Sequence, residues 1–134
     1  MPFIHGKDTY FALNAKDLSP YSTTSTLEKT ADSHDVTTYG QGAHVFQGGL
    51  LNGTASVSGI YDSSTSSGPR AVIEALVGTV VPCVRRTEGT GAGKPQQTVN
   101  ALVTKYTETN PVADMITWSA DLQLSGLIVT VTQT

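Results

Sequence analysis

From Ile116 to Ser125 apolar and polar residues alternate without a break. Ile116, Trp118, Ala120, Leu122 and Leu124 fall on one side, Thr117, Ser119, Asp121, Gln123 and Ser125 on the other. Successive side chains of a strand point to opposite faces, so residues 115–126 predict a long strand with one buried and one wetted face. The wetted face is small and polar, with one carboxylate and neither an aromatic ring nor a cation. It suits a surface past which something slides better than one that grips a ligand. Residues 54–61 have the same character: Ala55, Val57 and Tyr61 share one face, Thr54, Ser56 and Ser58 the other.

Shorter signals fill in the rest. Strands are expected at 9–13, 22–29, 35–39, 44–46, 80–86, 97–108 and 127–132. A glycine-rich loop spans 40–49, and Asn52-Gly53 reads as a turn. Gly68-Pro69 opens the one convincing helix: Pro69 suits a first helical position, Ala71, Val72, Ala75 and Leu76 form an apolar stripe, and Gly78 closes it. Residues 88–95 read as a flexible loop. These elements predict a mainly β protein, a β-sandwich or a sheet rolled towards a barrel, with one flanking helix.

At 134 residues the chain is expected to form one domain, 1–134. Charged residues make up only 14%, against roughly 25% in an average domain, and twenty threonines help fill the gap. Threonine is β-branched and favours strands. A net charge of −3 argues against a sequence-independent grip on DNA, which needs clustered lysine and arginine. Sparse surface charge also fits a protein that covers itself with its own copies. The N-terminus lacks the apolar stretch of a secretion signal, and no apolar run nears the ~20 residues that cross a bilayer.

Several constellations suggest chemistry, and none survives inspection. Residues 89–94, G-T-G-A-G-K, look like a phosphate loop, but Pro95 stands where Ser or Thr is needed and a strand follows in place of a helix. Asp32, His34, Asp35 and His44 match no standard metal-ligand spacing. Cys83, the lone cysteine, lies in an apolar run and reads as a buried inert thiol. Asn52-Gly53-Thr54 has the form of a glycosylation sequon but reads as a turn. Arg85-Arg86 reads as a solvated or intersubunit pair, and Trp118, in strand register, as core. No catalytic group has a partner at a credible spacing, so no enzyme activity and no cofactor are expected.

Three segments carry a family resemblance: A-D-S-H-D-V-T-T-Y-G at 31–40, L-N-G-T-A-S-V-S-G-I-Y-D at 51–62 with G-P-R-A-V beyond it, and N-P-V-A-D-M-I-T-W-S-A-D-L-Q-L-S-G at 110–126. In this order they resemble the major tail tube proteins of bacteriophages with long, non-contractile tails, a family related in fold to the tube proteins of type VI secretion. The resemblance spans nearly the whole chain. Many members carry an added immunoglobulin-like domain, for which this chain has no room.

The resemblance implies a structural virion protein, assembled in the host cytoplasm. Six copies would close into a ring whose inner sheets join into one β-barrel, and stacked rings would form the tube that delivers the genome. Thr54, Ser56, Ser58, Thr117, Ser119, Asp121 and Gln123 would then line the lumen, with Asp121 supplying a negative potential. The tape-measure protein and DNA would occupy that lumen without specific binding, tail-tip and terminator proteins would cap the ends, and no membrane partner is implied. Stacking would use the N-terminal arm 1–8, the loops 40–49 and 88–95 and the C-terminal extension 127–134, with Val45 and Phe46 as inter-ring anchors. Two other readings remain: a β-sandwich module that binds a carbohydrate or receptor, and another tail-fold protein such as a terminator or distal tail protein.

Overall fold

The computed structural model describes residues 3–134. Seven strands form one antiparallel sheet: β1 (Tyr10–Leu13), β2 (Lys16–Asp17), β3 (Ser22–Asp35), β4 (Phe46–Ile60), β5 (Val80–Arg86), β6 (Pro95–Thr109) and β7 (Thr117–Thr132). Their order across the sheet is β2-β1-β5-β6-β7-β4-β3. One α-helix, α1 (Pro69–Ile73), runs on into a 3-10 turn at Glu74–Leu76.

The core lies on the concave side of this sheet. Alternate residues of β7 and β4 meet there: Trp118, Ala120, Leu122 and Leu124 from β7, Ala55 and Val57 from β4. Phe11 and Leu13 of β1, Cys83 of β5, and Val99, Ala101 and Val103 of β6 close over them, with Val72 and Ile73 from the helix. Trp118 is 2% exposed, and its Nε1 donates to the Tyr21 carbonyl, 3.2 Å away. That bond ties the residue just before β3 to β7, across the intervening β4. Gly59 permits the same approach: a Cβ there would stand 1.8 Å from the Tyr21 oxygen.

The helix is held from outside the core. The Arg70 guanidinium donates to both carboxylate oxygens of Glu108 and lies over the Tyr61 ring, 5.5 Å from its centroid. Tyr106 also donates to Glu108, at 3.0 Å. The Arg70 hydrogen bonds hold the Glu108 carboxyl below its ordinary value, as expected when the charged form is the bonded one.

The sheet departs from the expected elements where strands run longer than their patterns. Asn52-Gly53 is no turn; both residues lie inside β4, and Gly53 pairs with Lys29. The strand expected at 22–29 runs on to Asp35, those expected at 35–39 and 44–46 lie outside strands except for Asp35 and Phe46, and β3 and β4 make one long hairpin turning between those two residues. Beyond Lys29 and Gly53 this hairpin is an exposed arm. Its tip is locally bonded: Asp35 accepts from the Thr37 amide and hydroxyl, and the Thr37 hydroxyl accepts from the Val45 amide. The strands expected at 115–126 and 127–132 are likewise one, β7, which begins at Thr117. Gly126, at φ +112°, lies where two extra residues of β7 bulge against β6, and the strand bends there without breaking. The sequence reading also missed β2, which follows a tight turn at Asn14-Ala15 with both φ angles positive.

Candidate functional site

Cross-strand pairing brings the polar residues of β4 and β7 onto one surface. Thr54 pairs with Gln123, Ser56 with Asp121, Ser58 with Ser119, and Ile60 with Thr117. Paired residues share a face, so the three β4 and four β7 positions form one polar patch. Thr54, Thr117 and Asp121 are exposed; Ser56, Ser58, Ser119 and Gln123 are half-buried.

The patch is wider than its two central strands. On one flank Thr24, Thr26 and Glu28 of β3 pair with Ser58, Ser56 and Thr54. Thr26, Glu28, Thr54, Ser56, Asp121 and Gln123 line one shallow depression. On the other flank Lys105 and Thr107 of β6 stand opposite Asp121 and Ser119. The face therefore spans β6, β7, β4 and β3 and carries hydroxyls, two carboxylates and one ammonium.

Lys105 was hidden from the sequence by a bulge. Val99, Ala101 and Val103 face the core, and strict alternation would send residue 105 there too. An extra β6 residue at Thr104, whose hydroxyl donates to the Asp121 carbonyl at 3.0 Å, reverses the faces beyond it. Lys105 turns to the polar side, and Tyr106 and Glu108 turn towards the core and the helix. Glu28 carried a legible signal, since Thr24, Thr26 and Glu28 alternate along 22–29. The expected face without a cation is thus corrected: a lysine offsets one of its two carboxylates.

Gln123 also has a structural task. Its amide donates to the Asn52 side chain at 2.8 Å and to the Gly53 carbonyl at 2.9 Å, fastening the base of the arm to β7. Val45 and Phe46 lie away from the polar patch, at the arm's tip, 40% and 62% exposed.

The other constellations are placed apart. Among the described residues no three His, Cys, Asp or Glu groups converge as a metal site; His44 pairs with Asp35, at 3.2 Å, and its ring lies beside Phe46. Loop 88–95 is stitched to the chain's end by Gln133, whose side chain bonds Gly89, Gly91 and Pro95. Arg85 and Arg86 diverge: Arg85 reaches Ser25 and Thr87, while Arg86 lies over Tyr10 and bonds Gln96. Burial pushes the Cys83 thiol up to about 12. No helix among the described residues is long and apolar enough to span a membrane.

No protein-family model matches the sequence, and no curated protein sequence does. Solved structures do match. A chain of the native gene transfer agent virion superposes with TM-score 0.78 at 13% identity, covering 97% of this chain and 100% of its own length. A chain of the SPP1 tail tube also gives 0.78 at 13% identity, over 98% of this chain and 80% of its own. The chain has the tail-tube fold. A chain of the sheath-tube complex of an extracellular contractile injection system shares it at 0.72 and 12% identity, over 98% and 93% of the two chains. Empty gene transfer agent particles yield a tail refined with C6 symmetry, and a chain of that tail matches at 0.76. A chain of the SPP1 Dit protein matches less well, at 0.51 and 14% identity, over 87% of this chain and 49% of its own.

Proposed function

We propose that this protein is the repeating subunit of a tail tube, closing into six-membered rings that stack around a channel for DNA. The observation that carries the proposal is a four-strand polar face with a free edge at each side. Among the described residues no strand pairs with the outer edge of β3. On the far side β5 covers β6 only from Gln97 to Leu102, and Val103 bonds Gly78 and Thr79, leaving Thr104–Thr109 open among the described residues. The strand directions are compatible with joining these edges, because β3 of one copy and β6 of the next would run antiparallel. Closure would remove both edges and the aggregation hazard they carry.

Ring size follows from strand spacing. Four strands from each of six copies, ~4.8 Å apart, give a circumference of about 115 Å and a backbone diameter of roughly 37 Å, before strand tilt widens it. The six-fold count is taken from the C6 symmetry of the gene transfer agent tail. Such a channel would be lined by Thr54, Ser56, Ser58, Thr117, Ser119, Asp121 and Gln123, joined by Glu28 and Lys105. Its function is to avoid holding DNA: hydroxyls stay hydrated, and a small negative excess gives phosphates no site for counterion release. The tape-measure protein and DNA would pass through it, terminator and tip proteins would close the ends, and the subunit would reside in the virion after assembly in the host cytoplasm.

The test is negative-stain electron microscopy of the purified protein across a concentration series, alone and with a nucleating tail-tip complex. Rings or hollow tubes are expected. Small particles alone under both conditions would refute the proposal. Copy number in the particle separates a tube subunit, present in many rings, from a terminator or distal tail protein.

A further inference from the structure

The two ends of the polar sheet carry different apolar surfaces, one with an acid beside it and the other with a lysine. At the arm's base the core stripe runs out into solvent: Leu51 is 52% and Leu127 67% exposed. They line a small depression with Leu124 and Ile128, and Lys29 stands at its side. At the other end the turn between β6 and β7 projects Val112, fully exposed, and Met115, 65% exposed. Asp114 lies between them, its Oδ1 accepting from the Met115 amide. Leu51 and Ile60 mark the two ends of the same stretch of β4, and nine strand residues separate them by roughly 30 Å.

One end is thus a knob with an acid, the other a socket with a lysine. Neither is covered by another segment among the described residues. Exposed apolar groups gathered at two such places mark contact surfaces. Because the surfaces differ, a contact between them is head-to-tail, and such a contact propagates into an open filament. Resting on the tube reading above, we propose that the β6–β7 turn of each copy seats in the arm-base depression of a copy in the adjacent ring. Val112 and Met115 pack on Leu51 and Leu127, and Asp114 faces Lys29. The occupant is a second copy because this chain supplies both halves, with matching charge, at opposite ends of the strands that would line the channel. Stacking polarity is then set by the knob and its socket, in addition to anything the arm's tip contributes.

Charge reversal tests the pairing. Lys29 and Asp114 are both exposed, so Lys29→Asp and Asp114→Lys leave the fold intact, as circular dichroism would verify. Each single change is expected to raise the critical concentration for tube growth, read by sedimentation and microscopy, by about tenfold or more, the scale of one lost contact anchor. The chain carrying both changes is expected to recover most of the loss. Singles that assemble like the parent, or a double variant no better than the singles combined, would overturn the pairing. Failure of the parent protein to form rings or tubes even with a tip complex would instead sink the tube reading itself, and this inference with it.

Discussion

If the polar face lines the channel as proposed, replacing Asp121 with lysine should turn a surface that lets DNA pass into one that holds it. Glu28 and Asp121 against Lys105 leave each copy's polar face with one net negative charge. Asp121→Lys makes that one net positive, a change of two charges per copy, repeated by every subunit around the channel. The fold should tolerate it: Asp121 is exposed, and the new ammonium beside Lys105 costs no more than about 1 kcal/mol, the scale of a like-charge cross-strand pair. Each lysine that comes to neutralise a phosphate adds roughly 0.9 to the slope of log affinity against log salt. Tubes of the parent should show almost no binding of a short fluorescent duplex in fluorescence anisotropy. Asp121→Lys tubes should bind it at low salt, with a slope of several units, and virions built from them should eject DNA slowly. Glu74→Lys is the control, since it makes the same charge change on the helix side. If both variants bind DNA alike, or neither does, the polar face does not line the channel.

Three further outcomes follow from the fold. Gly59→Ala drives a Cβ into the Tyr21 carbonyl and should cost roughly 3 kcal/mol in urea unfolding, with the Trp118 fluorescence transition at lower denaturant. Arg70 holds the Glu108 carboxyl below its ordinary value, so this pair stabilises the fold above the unfolded carboxyl's pKa near 4.5, and the benefit is lost as pH falls through the lower folded value. The stability gap between the parent and Arg70→Ala should therefore narrow in acid; a gap that widens there would contradict the assignment. Cys83, buried with its thiol pushed up to about 12, should react with a thiol reagent at neutral pH only at the rate of global unfolding.

What could be read from the sequence was what burial writes into it. The alternation from Trp118 to Leu124 is there because one face of β7 packs on the core, and Trp118 lies in the core as its register implied, whereas Ile116, expected on the same face, precedes β7 and is exposed. The same logic gave Thr54, Ser56 and Ser58 a wetted face of their own; that this face lies beside the β7 residues came from the family resemblance and is seen in the pairing of β4 with β7. The arm was illegible for the opposite reason. Between Thr30 and Leu51 nothing is buried, no face is selected, and the residues carry no period. Glycines 48, 49 and 53 then read as loop or turn, although backbone pairing with β3 keeps all but Gly49 in register. Bulges were the other blind spot. One extra residue at Thr104 and two near Gly126 change which side chain faces where, and only the partner strand reveals the count. Lys105 was lost to the first, and the continuity of β7 to the second.

The sheet order also bears on how the chain emerges from the ribosome. β7 is synthesised after both strands it joins, β6 on one side and β4 on the other. Until it arrives, the β3–β4 hairpin and the β1–β5–β6 group are two separate pieces with no shared core, and Trp118 is not yet present to draw them together. Its insertion between β6 and β4 is a high-contact-order event, slow by nature and postponed until β7 itself has been made. A nascent chain therefore never presents the four-strand face or a matched pair of edges. If the chain builds a tube as proposed, half-made subunits on one polysome would lack the surface that joins them, and assembly would fall to chains that already carry β7.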